Sequence, residues 1–217
     1  MQNRSVLSAV LEGLAALKRC AGVGLIAVGV FCTNTAIAKD DATTCDLLAA
    51  HPQDPDRIVD GVPTSVVDQL AAIAACEAGL VAEPGHPRLT YQLARVYFYN
   101  GRSADAVKTM EKAAAAGYRQ AQFVMGALIS NNRPDASGDM CDAEFWWAKS
   151  AMAGRLAAQV SYVRHVTKGL FDACALHADE DDMASFLENV RATGGGDYYL
   201  RLLVSDLTED LRAYRDR

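Results

Sequence analysis

The amino-acid sequence predicts an all-α protein, an α/α solenoid in which helix pairs stack on one another. Its main evidence is a glycine spacing: Gly85, Gly117, Gly154 and Gly196 each follow a helical, Ala-rich or charged stretch, at steps of 32, 37 and 42 residues. A period in this range, with two amphipathic helices per unit, is typical of a solenoid whose units bury their apolar faces against their neighbours. No stretch alternates apolar and polar residues long enough to predict a strand.

Composition agrees with a folded helical domain. Of the 217 residues, 51% are apolar and 22% charged, so a sizeable core is expected. The formal net charge of −6 argues against a nucleic-acid-binding protein, which would usually be basic. Aromatic residues make up only 7% and alanine is frequent, which favours closely packed helices over a β-sandwich.

The first forty residues have the pattern of a secretory signal peptide. An apolar run over 21–31 follows Lys18 and Arg19, and small residues at Ala36 and Ala38 offer a cleavage site. We therefore predict a signal peptide over 1–38 and a periplasmic or secreted protein. The alternatives are an uncleaved anchor and a lipid-modified Cys32. Because a membrane span needs about 20 apolar residues, no stable span is expected after cleavage.

The next segment, 39–86, is predicted to be an N-terminal helical cap. A short helix is expected over 45–50, and a link at 51–56 is rich in Pro and Asp, which exclude a helix there. Thr64 is expected to cap a second helix over 65–81. Val66, Leu70, Ile73 and Leu80 would lie on or near one face of that helix.

Three helix pairs are then predicted over 87–196, and a C-terminal capping helix over 197–217. The expected helices of the pairs are 87–100 and 103–116, then 119–130 and 139–153, then 155–167 and 179–194. Ser103 is expected to cap the second helix of the first pair. Asp139 with Asp142, and Asp179 with Asp182, have the spacing of capping boxes.

The second helix of the middle pair resembles a Sel-like repeat, a branch of the tetratricopeptide superfamily. Residues 142–158 read DAEFWWAKSAMAGRLAA, with Trp147, Lys149, Gly154 and Ala158 on the positions of the family pattern. Residues 111–121 repeat the same ending, with Met110 where Trp147 stands. The first-helix pattern of the family appears at 121–126, AQFVMG. Gly126 would let helix axes approach closely while Trp147 fills the space between units.

The resemblance implies a binding surface. In this family the first helix of each unit lines the concave side, which here gives six partner-binding candidates: Tyr91, Arg95, Phe98, Tyr99, Arg164 and Lys168. Tyrosine and arginine are common interface anchors. The alternative is that Tyr91 and Phe98 are ordinary core residues.

Four cysteines remain after signal cleavage, and an even number in an exported chain predicts disulfides. Three connectivities are open, as is a set of four buried thiols. Stacking of the units places Cys141 and Cys174 on one edge, and Cys45 and Cys76 in the N-terminal helix pair, which favours these two bonds. No C-x2-C or related spacing indicates a metal site.

No catalytic motif accompanies the repeats. The four histidines, His51, His86, His165 and His177, have no zinc-ligand spacing, and no P-loop or nucleophile elbow occurs. We therefore predict a protein that is not an enzyme and needs no cofactor or metal. Its expected role is to bind a protein or peptide in the cell envelope, regulating a signalling or assembly system. The alternative is an envelope hydrolase or a cell-wall glycan-binding protein. A hydrolase needs a carboxylate or His pair within one cleft.

Overall fold

The computed structural model describes residues 41–194 and 197–216, which form helices and connecting turns without a strand. The predicted signal peptide lies outside these residues. Within the described part of the chain, no helix is both long enough and apolar enough to cross a membrane.

Nine α-helices follow one another in the described ranges, as the sequence led us to expect. They are α1 Thr44–Ala49, α2 Gln69–Ala82, α3 Pro87–Tyr99, α4 Ser103–Ala115, α5 Arg119–Ser130, α6 Met140–Met152, α7 Leu156–Thr167, α8 Glu180–Thr193 and α9 Tyr198–Arg215. A short 3-10 turn, Thr64–Val66, precedes α2.

Each helix packs against the next one along the chain. The most extensive contacts are those between α3 and α4 and between α5 and α6, which are the first two predicted pairs. α9 packs on both α7 and α8 and covers the C-terminal end. The apolar core follows this order in three clusters, the first around α1–α3, the second around α3–α6 and the third around α6–α9. The prediction of an all-α fold is confirmed.

Glycines end helices where the spacing predicted them. Gly117 follows α4 with φ +87°, and Gly154 follows α6 with φ +80°. This left-handed backbone carries little penalty for glycine and reverses the chain directly after a helix. The two turns bring α5 and α7 back beside the helices that precede them.

The acidic caps of α6 and α8 are also as predicted. The Asp139 carboxylate accepts hydrogen bonds from the backbone N–H groups of Cys141 and Asp142, and the Asp142 carboxylate accepts one from the Asp139 N–H. Asp179 and Asp182 form the same reciprocal capping box before α8.

Two predicted caps are wrong. α2 begins at Gln69, and its cap is Asp68 rather than Thr64, because the chain first makes the 3-10 turn. The predicted shared apolar face is also wrong, because Val66 and Leu70 are 69% and 72% exposed while Ile73 is buried. Ser103 is the first residue of α4 and makes no side-chain cap.

Two disulfides join the pairs that the stacking of units favours. Cys45 bonds to Cys76, with Cα atoms 4.5 Å apart, and ties α1 to α2. Cys141 bonds to Cys174, with Cα atoms 5.3 Å apart, and ties the first turn of α6 to the 168–178 connection.

Candidate functional site

A pocket of about 200 Å³ lies between α3, α4 and α5. Its apolar wall consists of Ala94, Ala106, Val107, Met110, Val124 and Leu128. The α3 residues that line the pocket face the adjoining helix pair. Residues of α4 and α5 form the opposite wall. The pocket therefore lies where two successive helix pairs meet.

Four of the six predicted partner-binding residues line this one pocket: Tyr91, Arg95, Phe98 and Tyr99. Phe98 is 39% exposed and Tyr99 is partly exposed, whereas Tyr91 is 2% exposed. The open side of the pocket thus has an aromatic rim formed by Phe98 and Tyr99. Tyr91 belongs to the core, as the alternative interpretation had it.

Arg164 and Lys168 lie apart from this pocket. Both are exposed on or directly after α7, where they border a shallow groove with Val160 and Leu170. Lys168 also pairs with Asp210 of α9, with its Nζ 3.0 Å from the carboxylate. The structure does not bring these two residues together with the α3 set.

Arg95 requires a correction. It was predicted to face a partner, but it is 4% exposed and its guanidinium holds backbone carbonyls. Nη1 donates to the oxygens of Ala49 and Ala50, at 2.7 and 2.9 Å, and Nη2 donates to the oxygen of Val62 at 2.6 Å. Nε donates to the Tyr99 hydroxyl at 2.9 Å. Arg95 therefore anchors the segment 50–62, which we call the strap.

The strap continues from Arg95 to the start of α5. Asp54 is fully buried and accepts a hydrogen bond from the Tyr118 hydroxyl at 2.6 Å. Asp56 accepts two bonds from Arg119, at 2.7 and 2.6 Å, in a bidentate pair. Arg119 also donates to the oxygens of Ala153 and Gly154 after α6. Sequence reasoning missed the strap because its turn-forming residues indicated only a link.

The polar end of the pocket carries an excess of positive charge. His51 and Gln120 line it with Arg95, and Gln120 accepts a hydrogen bond from Nε of Arg155 at 2.5 Å. Burial, together with the charges of Arg95 and Arg155, lowers the pKa of His51 to about 4. In the described part of the chain, neither Arg95 nor Arg155 forms an ion pair.

Asp54 does not cancel this charge. Its two oxygens already accept from the Tyr118 hydroxyl and from the Asp56 N–H, and burial raises the pKa of its carboxyl. Even with Asp54 ionised, two guanidinium groups, that of Arg95 in the lining and that of Arg155 behind Gln120, are set against one carboxylate. The pocket therefore combines apolar walls with a cationic end.

A second constellation joins α6, α7 and the connection after α7. Glu144 is fully buried, and its Oε2 lies 2.6 Å from Nδ1 of His177. Its Oε1 accepts from the Tyr162 hydroxyl at 2.6 Å and from the His177 N–H at 2.8 Å. Burial and the hydrogen bond to Glu144 raise the pKa of Tyr162. This arrangement orients one imidazole ring and fixes the connection that Cys174 also anchors.

No group of three or more His, Cys, Asp or Glu side chains within 41–194 and 197–216 is placed to hold a metal ion.

Comparison of the chain with protein-family models, curated proteins and solved structures gives no match. The resemblance to Sel-like repeats therefore stays a prediction that depends on the residues quoted for it.

Proposed function

We propose that this chain is an exported α/α solenoid of the Sel-like type that binds a protein or peptide partner in the cell envelope. The observation that carries the proposal is the aromatic rim of Phe98 and Tyr99, which surrounds an apolar pocket on the first helix of a pair. A partially exposed aromatic side chain over an apolar recess is a common form of interface anchor. Arg164 and Lys168 offer basic groups on the corresponding helix of the third pair.

Export is supported by two independent features. The N-terminal sequence has the pattern of a signal peptide, and the folded part of the chain contains two disulfides. Disulfides persist in oxidising compartments such as the periplasm or the extracellular space. We accordingly propose a periplasmic or secreted location.

The role that we propose for the complex is regulation of an envelope signalling or assembly system. Helix pairs that present an aromatic groove bind an extended or helical segment without any catalytic group. The strap supports such a role because it fixes the α3 face through Arg95 before a partner arrives, which reduces the ordering cost of binding.

Affinity capture from envelope extract tests this proposal. The mature protein is compared with Phe98→Ala, which removes the rim, and with Tyr199→Ala, which removes a tyrosine that is 79% exposed on α9. We expect the Phe98 variant to lose most of the specific partner, by about tenfold or more, while the Tyr199 variant retains it. Equal recovery by all three proteins would show that the α3 face does not bind the partner. Arg95 is left unchanged because its loss would release the strap.

One observation favours the alternative, an envelope hydrolase or a glycan-binding protein. The buried Glu144 orients His177, and an imidazole oriented by a carboxylate is one arrangement that hydrolases use as a general base. Incubation of cell-wall glycan with the mature protein and with His177→Gln distinguishes the two functions. Product release by the mature protein that His177→Gln abolishes would favour the hydrolase over the adaptor.

A further inference from the structure

We propose that the pocket between α3, α4 and α5 is a binding site for a small apolar carboxylate, an acid whose apolar part is about the size of one aromatic ring. The proposal concerns a small molecule and does not depend on the protein partner proposed above. It is carried by the size of the pocket, by its apolar walls and by the cationic groups at one end.

The size of the pocket selects the apolar part. An apolar cavity of about 150 Å³ is large enough to take up benzene. The pocket here measures about 200 Å³, so it has room for one ring and a short connecting chain. Val107, Met110, Val124 and Leu128 offer such a group only carbon and sulfur contacts. A polar group at this end would lose its hydration without a partner.

The charge at the other end selects a carboxylate. Buried charges in proteins are normally matched by an opposite charge, yet Arg95 is held by carbonyl oxygens and a hydroxyl alone. A guanidinium has five N–H donors, and four of those of Arg95 have described acceptors. Arg155 is partly buried behind the lining residue Gln120, with its guanidinium carbon 5.4 Å from the centre of the Phe123 ring, and its Nη atoms have no hydrogen-bond acceptor among the described residues. An anion at this end would supply the missing acceptor and the missing charge.

Other charges fit less well. An ammonium group would be placed against Arg95 with no carboxylate in the wall to receive it. A phosphate dianion would bring about two negative charges to a site with one excess positive charge, and it would cost more to dehydrate. A single carboxylate satisfies both the charge and the remaining donors.

The test uses three matched probes on the mature protein: phenylpropionate, phenylpropanol and phenylpropylamine. Binding is followed by titration in two-dimensional NMR, with methyl signals assigned. For ligands of this size we expect the carboxylate to bind with a dissociation constant on the order of 0.1–10 mM. We expect the alcohol to bind about tenfold more weakly and the amine not to bind. Shifts should centre on the methyl groups of Val107, Val124 and Leu128.

Two variants and one control locate the effect. Leu128→Trp fills the pocket and should abolish binding, while Arg155→Gln should remove most of the preference for acid over alcohol. Arg164→Gln removes an exposed arginine outside the pocket and should change neither the binding nor the preference for acid over alcohol. If Leu128→Trp does not fold, Val124→Phe serves the same purpose, and the methyl shifts of the unaltered protein still report the site.

Three results would overturn the proposal. They are equal binding of acid and alcohol, shifts that centre away from the three methyl-bearing residues, and absence of carboxylate binding by the folded protein. Loss of the protein partner in Phe98→Ala is measured separately, so failure of one proposal leaves the other standing.

Discussion

The indole ring of Trp147 lies directly against the backbone of Gly126. A Cβ atom on residue 126 would stand 2.5 Å from Cδ1 of the indole, closer than any ordinary contact. The indole Nε1 donates to the oxygen of Phe123 at 3.0 Å, which fixes the ring over α5. Glycine at 126 is therefore a requirement of the close approach between α5 and α6.

Replacement of Gly126 by alanine should destabilise the protein. Alanine favours a helix by about 1 kcal/mol over glycine, but forcing a methyl group into a packed contact costs about 1–3 kcal/mol. Because the indole is held by its hydrogen bond, we expect a net loss that urea unfolding will detect. Gly79→Ala is the matched control, since its Cβ would meet only the Leu89 Cδ1 atom at 3.2 Å. Trp147→Leu in the Gly126→Ala background should recover part of the loss. A Gly126→Ala protein as stable as Gly79→Ala would contradict the packing described here.

Removal of either disulfide should lower stability by similar amounts. The bonds close loops of nearly equal length, with sequence separations of 31 and 33 residues. Loop-closure entropy then predicts a loss of about 3–4 kcal/mol for each pair replaced by serine. Unfolding of Cys45→Ser/Cys76→Ser and of Cys141→Ser/Cys174→Ser, beside the oxidised protein, measures both. Mass spectrometry that finds Cys45, Cys76, Cys141 and Cys174 as free thiols in the unreduced protein would contradict the pairing.

His51 should make stability depend on pH. Its pKa is about 4 in the folded protein, below the value of about 6.5 expected when unfolded. Between these pH values the unfolded state binds more protons than the folded state. The stability that depends on a neutral His51 is therefore fully present above about pH 6.5 and is lost as the pH falls to about 4. We expect a loss of about 1–2 kcal/mol, discounted because the ring is partly exposed.

The variant His51→Gln isolates this effect. Burial also lowers the pKa of His165, so the unaltered protein will lose stability from both rings as the pH falls. The free energy of unfolding of the unaltered protein, minus that of the variant, should therefore decrease as the pH falls. Urea unfolding across about pH 4 to 7 measures this difference. A difference that stays constant over this range would show that His51 is not held in its neutral form.

Glu144 should be among the costliest polar residues to remove. Glu144→Ala leaves the His177 N–H without its acceptor and the hydroxyl of the fully buried Tyr162 with only the Ala178 oxygen, at 3.4 Å. A buried polar group left without its partner costs about 1–3 kcal/mol. Glu144→Gln keeps a carbonyl acceptor and should cost less. Tyr162→Phe removes a hydroxyl that donates to Glu144 and accepts from the Ala178 N–H, but it leaves Glu144 bonded to His177 and should also be milder. The order of the three in thermal or urea unfolding checks the assignment, and an alanine variant no worse than the glutamine variant would refute it.

Local signals in the sequence were sufficient for the helices. The capping boxes at Asp139 and Asp179, and the glycines at 117 and 154, set helix ends through residues close to them in sequence. The positions of these helix ends therefore do not depend on the rest of the fold. The cap of α2 was misassigned because Thr64 and Asp68 are both good caps, and the 3-10 turn that decides between them has no distinct pattern.

The candidate site was predictable only in part. The register of α3 groups Tyr91, Arg95, Phe98 and Tyr99, and all four line the pocket. That register does not reveal what covers the face, because the strap reaches it through contacts such as that of Arg95 with the Val62 oxygen, which are 33 residues apart in sequence. Arg95 was predicted to be accessible for this reason. The Glu144–His177 contact, 33 residues apart, was missed because it depends on the path of the 168–178 connection.

The strap has a consequence for how the chain comes apart. Helix pairs that touch only their neighbours unfold progressively, each with its own stability. Here the strap is bonded to α3 through Arg95 and to the start of α5 through Tyr118 and Arg119. Arg119 in turn is bonded to the end of α6. Loss of any one pair therefore breaks bonds made by the others. We infer that α1 to α6 melt together in a single all-or-none transition, so that the N-terminal cap acts as a thermodynamic link between pairs that are distant in sequence.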